Sequence, residues 1–452
     1  MFVINTAITN MERDMSNPTR REFVRNAAIG VTAAMAWNGR SAFASSPNER
    51  VRLGIIGVGN QGGQHLKTLV GAADAEIVCV SDLDTERLAK AVTESGGAKG
   101  HADFRKVLDD PSVDAVIVAT PDHWHAPAAI MALDAGKHVY VEKPFSHNVR
   151  EAQLLLDATK RSGKVVAHGT QSRSNPAIQQ AMKMLRDGVI GDVLVAKCWD
   201  CQKRDDIGHK QPSTAPANIN YDAWVGPAKW MPYQENRHHY NWHWWYNFGC
   251  GDIGNDGIHE IDYALWGMGI ETHPTIITGG GGKYYFDDDQ EFPDTQQVTF
   301  EYPGNDKVGS RRMLTFEQRL WTTNYPFGVD SGVEYFGTEG RMFVSKRGKF
   351  DLIGPRNRRL DVKLESIPMC DITENHRDWI ACIKSGGVPN ANAEVANRAA
   401  IAVHLGNIAT RLQRAIRFDA ESQQIVGDDE ANALIAREYR DGGHWGIPNG
   451  AV

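Results

Sequence analysis

Arg52-Leu53-Gly54-Ile55-Ile56-Gly57-Val58-Gly59-Asn60-Gln61-Gly62 is the stretch on which the reading of this chain turns. A short apolar run, Arg52 to Ile56, enters a G-x-G-x-x-G turn, and a helical pattern follows from Gln64 to Val70. The chemistry behind that spacing is specific: Gly57 allows the tight turn, Gly59 lets the backbone approach a pyrophosphate, and Gly62 lets helix pack close to strand. Asn60 and Gln61 then sit where free N–H groups of the helix N-terminus hold the phosphates. A second strand pattern, Ala75 to Val80, ends at Asp82, about twenty residues beyond Gly62, where the ribose-binding acid belongs. A carboxylate there accepts from a ribose 2′-OH and repels a 2′-phosphate, so the pattern predicts NAD rather than NADP.

From this start, strand and helix patterns alternate to about His168. Ala115 to Ala119 and Lys137 to Val141 are strands, with helices at His125 to Ala135 and Val149 to Lys160 and a last strand at Lys164 to Ala167. Such alternation gives a parallel, doubly wound sheet. The texture then changes. A helix at Pro176 to Arg186 leads into Asp192 to Trp199, and strand-like runs follow at Thr295 to Tyr302, Arg311 to Gln318, Gly332 to Phe336 and Arg341 to Lys346. Gly, Pro and Asp turns between them suggest a mainly antiparallel sheet. The expected fold is therefore α/β, with a doubly wound domain at 50–170 and a second α/β domain with an open sheet at 171–452. Asp200 to Gly251 is too long for an ordinary connection, so it either is disordered or builds a site, and its aromatic content argues for order. Ala393 to Arg414 reads as a long amphipathic helix, and Gly427 to Trp445 as a tail with a short helix packed back onto the body.

Residues 1–44 form a separate element. Thr19-Arg20-Arg21-Glu22-Phe23-Val24-Arg25 places paired arginines before a mildly apolar run to Trp37, and Ala42-Phe43-Ala44 offers small residues for cleavage. This resembles a twin-arginine signal peptide, which implies export to the periplasm or another extracytoplasmic space. The run is shorter than the ~20 residues that span a bilayer, so no membrane span is expected. The net charge of −7 becomes about −9 without this segment, a mild acidity that argues against nucleic acid. Six cysteines (79, 198, 201, 250, 370 and 382) are too few for a disulfide framework. Cys198-Trp199-Asp200-Cys201 is a lone C-x-x-C, so no metal site is expected.

Two strand-end motifs carry the chemistry. Thr120-Pro121-Asp122-His123-Trp124-His125 follows one strand, and Glu142-Lys143-Pro144 follows the next. Ligands bind at carboxyl ends of parallel strands, so Thr120, Pro121, His125, Glu142 and Lys143 are expected along the cofactor, with Lys143 at its nicotinamide end. The fingerprint, T-P-D-x-x-H and above all E-K-P resemble the Gfo/Idh/MocA oxidoreductases, which act mainly on sugars, polyols and related compounds with a nicotinamide cofactor. The resemblance spans about 50–450. It implies a Rossmann domain followed by an α/β domain with an open, mainly antiparallel sheet, and a homo-oligomer, dimer or tetramer. It also makes Lys143 a catalytic residue, placed to hydrogen-bond or deprotonate a substrate hydroxyl.

Gly251-Asp252-Ile253-Gly254-Asn255-Asp256-Gly257-Ile258-His259-Glu260-Ile261-Asp262 resembles that family's helix, whose histidine and the aspartate four residues before it line the substrate site. On a regular α-helix Asn255, His259 and Asp262 share one face. Asn255 stands where the family has aspartate, and an amide takes no proton, so Asp256 is a candidate to substitute and His259 is expected as general acid/base. Just upstream, Arg237 to Phe248 is dense in rings, of which about half should pack the loop. Tyr240, Trp242 and His243 are expected to stack on or bond a sugar. Gln171, Arg173 and Asp262, with the Tyr221-Asp222-Ala223-Trp224 turn, are further candidates to line the pocket.

Export adds a constraint, because little free NAD is available outside a cell. The cofactor is therefore expected to stay bound, and each cycle must restore its oxidation state. The leading expectation is a dehydrogenase for a secondary hydroxyl of a sugar, polyol or glycoside. A redox-neutral NAD-dependent glycosidase or lyase cycle is the alternative, and a non-catalytic binder of NAD and sugar is the alternative of another class.

Overall fold

The computed structural model describes residues 50–304, 307, 309–362, 364 and 371–440, so the leader, Cys370 and the end of the tail lie outside the described residues. The elements in chain order are β1 Val51–Ile56, α1 Asn60–Leu69, β2 Ala75–Ser81, α2 Thr85–Glu94, β3 Lys99–His101, α3 Arg105–Asp109, β4 Ala115–Val118, α4 Asp122–Asp134, β5 His138–Val141, α5 Val149–Ser162 and β6 Val166–His168. The six strands form one parallel sheet in the order β3-β2-β1-β4-β5-β6. β4 (Ala-Val-Ile-Val) is buried along its whole length, as a central strand covered by helices on both faces must be. The order reverses between β1 and β4, which opens a crevice at their carboxyl ends.

After this sheet come α6 Pro176–Arg186, β7 Val193–Asp200, α7 Tyr221–Val225, α8 Ile258–Gly267, β8 Ile276–Gly282, β9 Thr295–Tyr302, β10 Arg312–Arg319, β11 Ser331–Gly337, β12 Gly340–Val344, β13 Phe350–Ile353, α9 Thr373–Ser385, α10 Ala393–Leu412, β14 Ile416–Asp419, β15 Gln424–Ile425 and α11 Asp429–Asn432. Nine of these strands make the second sheet, ordered β13-β12-β11-β7-β10-β9-β8-β14-β15. It is antiparallel except where β7 runs parallel to β10.

Three features depart from the sequence reading. β8 carries Gly279 to Gly282, a composition that masks a strand, and the glycines answer to a close helix: a Cβ on Gly279 would lie 2.6 Å from the Thr410 backbone nitrogen of α10. α10 was expected to be amphipathic and is instead buried on nearly every side. Its alanines let it wedge between β8 and β9 on one side and α5 and α8 on the other. Last, α9 belongs in sequence to the second domain but inserts Trp379 and Ile380 into the core built by Leu53, Ile55, Ile117 and Tyr140 of the first. The boundary near 170 is thus crossed by a returning helix.

The turn between β1 and α1 leaves no room for a side chain. A Cβ on Gly62 would sit 1.9 Å from the Gly57 carbonyl oxygen, a backbone atom that cannot swing aside. Gly62→Ala is expected to cost about 1–3 kcal/mol, the range of overpacking, and to weaken NAD binding in parallel, which urea unfolding and a cofactor titration would measure together.

Candidate active site

A cavity of about 680 Å³ opens in the crevice between β1 and β4. At its first end Gly57 holds φ +84°, the left-handed conformation that suits glycine, and a Cβ on Gly59 would fall 2.8 Å from Arg87 Nη1. No side chain caps α1 and its first turn carries no acid, so its N-terminus faces the cavity as a bare anion site beside the Arg87 guanidinium. Asp82 lines the same end, its carboxylate accepting from the backbone N–H of Val58 and Asp84, both at 2.9 Å. Burial raises the Asp82 carboxyl despite those two donors. Gly57, Gly59, Asn60, Gln61, Asp82, Thr120, Pro121, His125, Glu142 and Lys143 all line the cavity, as a dinucleotide site requires. Gly62 lies beneath the turn, where it permits the packing. His125 ties two loops together, its ring nitrogens 2.8 and 2.7 Å from the carbonyl oxygens of Thr120 and Pro144. The Lys143–Pro144 peptide is cis.

The long excursion between β7 and α8 is ordered and crosses this cavity. Asn218, Ile219 and Asn220 lie against the loop after β2: the Thr85 N–H donates to the Asn218 carbonyl at 3.0 Å and the Asn220 N–H to the Leu83 carbonyl at 3.1 Å. Asn218 Nδ2 donates to Asp84 Oδ1 at 3.1 Å, and His239 Nε2 lies 3.1 Å from Asp84 Oδ2. Trp224, Trp242, Trp244, Trp245 and Phe248 share one apolar cluster that holds the excursion together. Tyr240, Trp242 and His243 line the cavity, as do Ala223 and Trp224 of α7. Trp244, Trp245 and Phe248 pack the loop, the other half of the expected division.

At the far end two elements meet. Lys143 Nζ donates to Asn255 Oδ1 at 2.8 Å, and Asn255 Nδ2 donates to Asp252 Oδ1 at 2.9 Å and Asp256 Oδ2 at 3.2 Å. Arg204, from the excursion, grips Asp252 through two bonds at 2.9 and 3.0 Å and also pairs with Asp256. Burial opposes ionisation of Asp256, but Arg204, Lys143 and Lys346 outweigh it and hold the carboxyl well below the usual range. Burial, with Lys143 next, pushes the His243 imidazole down to about 3. Lys143 and Arg204 thus stand against Asp256 and, behind it, Asp252, so the charges at this end of the cavity are paired.

The backbone of Ile253–Gly257 is a π-turn rather than regular α-helix, and this corrects the expected face. The i→i+5 winding brings adjacent residues Asn255 and Asp256 to the wall. His259 is not among the residues of the cavity wall; it is buried, with Nδ1 lacking a hydrogen-bond partner. Burial, then the charges of Lys346 and Lys143, keeps that imidazole neutral. Asp262 and Arg173 are likewise absent from the wall because they bind each other, Arg173 Nε donating to Asp262 at 2.7 and 3.0 Å in a buried pair. Gln171 is outside the wall as well. Arg204, Asp252, Asp84, Asp122 and His239 were not singled out from sequence. Asp252 stood within the quoted helix motif, whereas nothing near Arg204 marks it. Among the described residues no three His, Cys, Asp or Glu side chains converge as metal ligands, Cys198 and Cys201 are free thiols, and no helix is long and apolar enough to cross a membrane.

Comparison with known proteins agrees with this architecture. Residues 51–170 match the model of the oxidoreductase family with an NAD-binding Rossmann fold, and 183–274 with 328–446 match its C-terminal alpha/beta domain. An inositol 2-dehydrogenase of Rubrobacter xylanophilus is 32% identical over 299 residues, 66% of this chain and 72% of the relative. A myo-inositol 2-dehydrogenase of Thermotoga maritima is 22% identical over 83% of this chain and all of the relative. In fold, a levoglucosan dehydrogenase solved with NADH and levoglucosan superposes with a TM-score of 0.62 at 19% identity, covering 81% of this chain and 99% of that one.

The Arg173–Asp262 pair separates structure from binding. Arg173→Met leaves Asp262 as a buried, unpaired charge and is expected to cost about 3–5 kcal/mol in thermal or urea unfolding, with NAD affinity unchanged.

Proposed function

The chain belongs to the Gfo/Idh/MocA oxidoreductase family, and from that premise we propose that this NAD-dependent dehydrogenase oxidises a secondary hydroxyl of a neutral sugar, polyol or glycoside while keeping its cofactor bound. The observation that carries the reading is the pairing of Lys143 with Asn255 at the end of a dinucleotide cavity floored by Gly57 and Gly59. Bound NAD supplies the hydride acceptor. Lys143 takes the hydroxyl proton, and Asn255 aims its ammonium or amine along one direction. Arg204 fixes Asp252 and Asp256, and the Asp256 carboxylate and Tyr240 offer hydrogen bonds to neighbouring hydroxyls. Asp256, ionised in that wall, disfavours a sugar acid and favours a neutral substrate. His259 serves as neutral support behind Asn255, so the proton chemistry rests on Lys143 rather than on a Lys–His pair. The inositol and levoglucosan dehydrogenases among the relatives support cyclic polyols and anhydrosugars as the substrate class.

Retention of the cofactor is supported by the excursion, whose Asn218 and Asn220 are hydrogen-bonded to Leu83, Asp84 and Thr85 just beyond Asp82. It suits a chain whose leader directs it through the twin-arginine route, already folded and loaded, to a compartment poor in free NAD. A second carbonyl compound then reoxidises the cofactor in place.

Denaturing the purified protein is expected to release NAD. Adding inositols or levoglucosan to the native protein is expected to raise absorbance in the reduced-nicotinamide band, and Lys143→Ala to slow that rise by about 10²–10⁴-fold. A flat trace across all sugars would mark a binder without turnover, and sugar release from a glycoside with no net reduction would mark the redox-neutral cycle. Asn218→Ala combined with His239→Ala is expected to speed NAD loss on gel filtration by about 30-fold, for two lost hydrogen bonds of about 1 kcal/mol each, while leaving the fold intact.

A further inference from the structure

Glu142, beside Lys143 in the cavity wall, is the head of a buried chain of polar groups that the proposed chemistry does not use. Its Oε2 accepts from the Lys143 backbone N–H at 3.0 Å, and its Oε1 accepts from Gln61 Nε2 at 3.2 Å and lies 3.0 Å from His65 Nε2. His65, on α1, places Nδ1 2.8 Å from Nε2 of His376, on the returning helix α9. All three side chains are buried, and the Tyr140 ring stands edge-on to both imidazoles at 5.1 and 5.4 Å. One distribution of protons leaves no N–H orphaned. The Glu142 carboxylate accepts from His65 Nε2–H, the bare His65 Nδ1 accepts from His376 Nε2–H, and the bare nitrogen falls on His376 Nδ1. That atom is the one without a hydrogen-bond partner among the described residues.

We propose that Glu142, His65 and His376 act as one positioning relay for the reaction at Lys143, in which His376 orients His65 and His65 fixes Glu142 as a negative charge in the cavity wall. The relay rests on the reading of this cavity as the NAD site. Burial opposes ionisation of Glu142, but the hydrogen bond from His65, with the charge and backbone N–H of Lys143, holds its carboxyl well below the carboxylate range. Burial pushes His376 down to about 3, so it stays neutral. The other titratable groups that feel Glu142 are Lys143 itself, Asp122 and His125 of α4, Tyr140 of β5, His168 of β6 and His259 of α8. Burial raises the Asp122 carboxyl to about 7 and lowers the His125, His168 and His259 imidazoles, so Glu142 is the member of the group held as an anion throughout the neutral range. A fixed anion at this end of the cavity would favour the cationic, oxidised form of a bound nicotinamide over the neutral reduced one.

Two measurements test this. In 15N-histidine spectra of the wild-type protein at neutral pH, His65 and His376 are both expected as neutral Nε2–H tautomers; a protonated His65 or an Nδ1–H tautomer at either position overturns the relay. In the NAD-loaded protein, His65→Leu is expected to weaken the preference for NAD⁺ over NADH about tenfold, a rise of about 30 mV in the midpoint of the two-electron couple. For any panel sugar the wild type oxidises, the same variant is expected to lower kcat about 10- to 100-fold with KM little changed. His376→Leu should share these effects and His376→Gln, whose amide N–H can still reach His65 Nδ1, should recover most of them. A folded His65→Leu protein with unchanged midpoint and kcat overturns the proposal. Should no sugar react with the wild type, the proposed function fails, while the tautomers and the midpoint still decide the relay.

Discussion

The bond from Lys143 Nζ to Asn255 Oδ1 joins the end of one sheet's strand to a helix that covers the other sheet, and the site exists only because these two meet. Neither partner is poised alone. Lys143 would be a flexible amine at a strand end, and Asn255 an amide on a helix. Together they leave one open direction, toward the cavity. Asn255 is held by its own donors to Asp252 and Asp256, and those carboxylates are held by Arg204, so the direction of the Lys143 side chain is set by a chain of bonds that ends in the excursion.

The amide at 255 therefore does something other than relay protons. A carboxylate at that position would add a third anion beside Asp252 and Asp256. The amide instead offers its oxygen to Lys143 and its two hydrogens to the neighbouring carboxylates, satisfying every group at once. The π-turn from Ile253 to Gly257 makes this possible by presenting Asn255 and Asp256 side by side.

The parallel sheet was legible because its signals are local. Glycines 57, 59 and 62, the apolar run of β4 and the acid at 82 each follow from contacts within a few tens of residues. The strand-end residues Thr120, Pro121, His125, Glu142 and Lys143 followed from the rule that parallel strands present their carboxyl ends to ligands. The reading failed where long-range packing decides. β8 looks like a glycine loop until α10 lies on it, and α10 looks amphipathic until it is enclosed. Arg173 and Asp262 look like pocket residues until they find each other, 89 positions apart. His259 was expected on the face of a regular helix, whereas the turn before it is wider and the imidazole is buried outside the cavity wall. Arg204 carried no local mark, since its meaning comes from Asp252 and Asp256, far along the chain.

The return of α9 into the first domain makes the molecule less modular than its two sheets suggest. Trp379 and Ile380 complete a core whose other walls are β1, β4 and β5, and His376 rides on the same helix. A cofactor half cut at residue 170 would expose that core to water, so recombination between relatives has to carry the 373–385 segment along with the dinucleotide cradle or lose both. Inheritance of cofactor use in this chain is tied to a stretch some three hundred residues downstream of the glycines that advertise it.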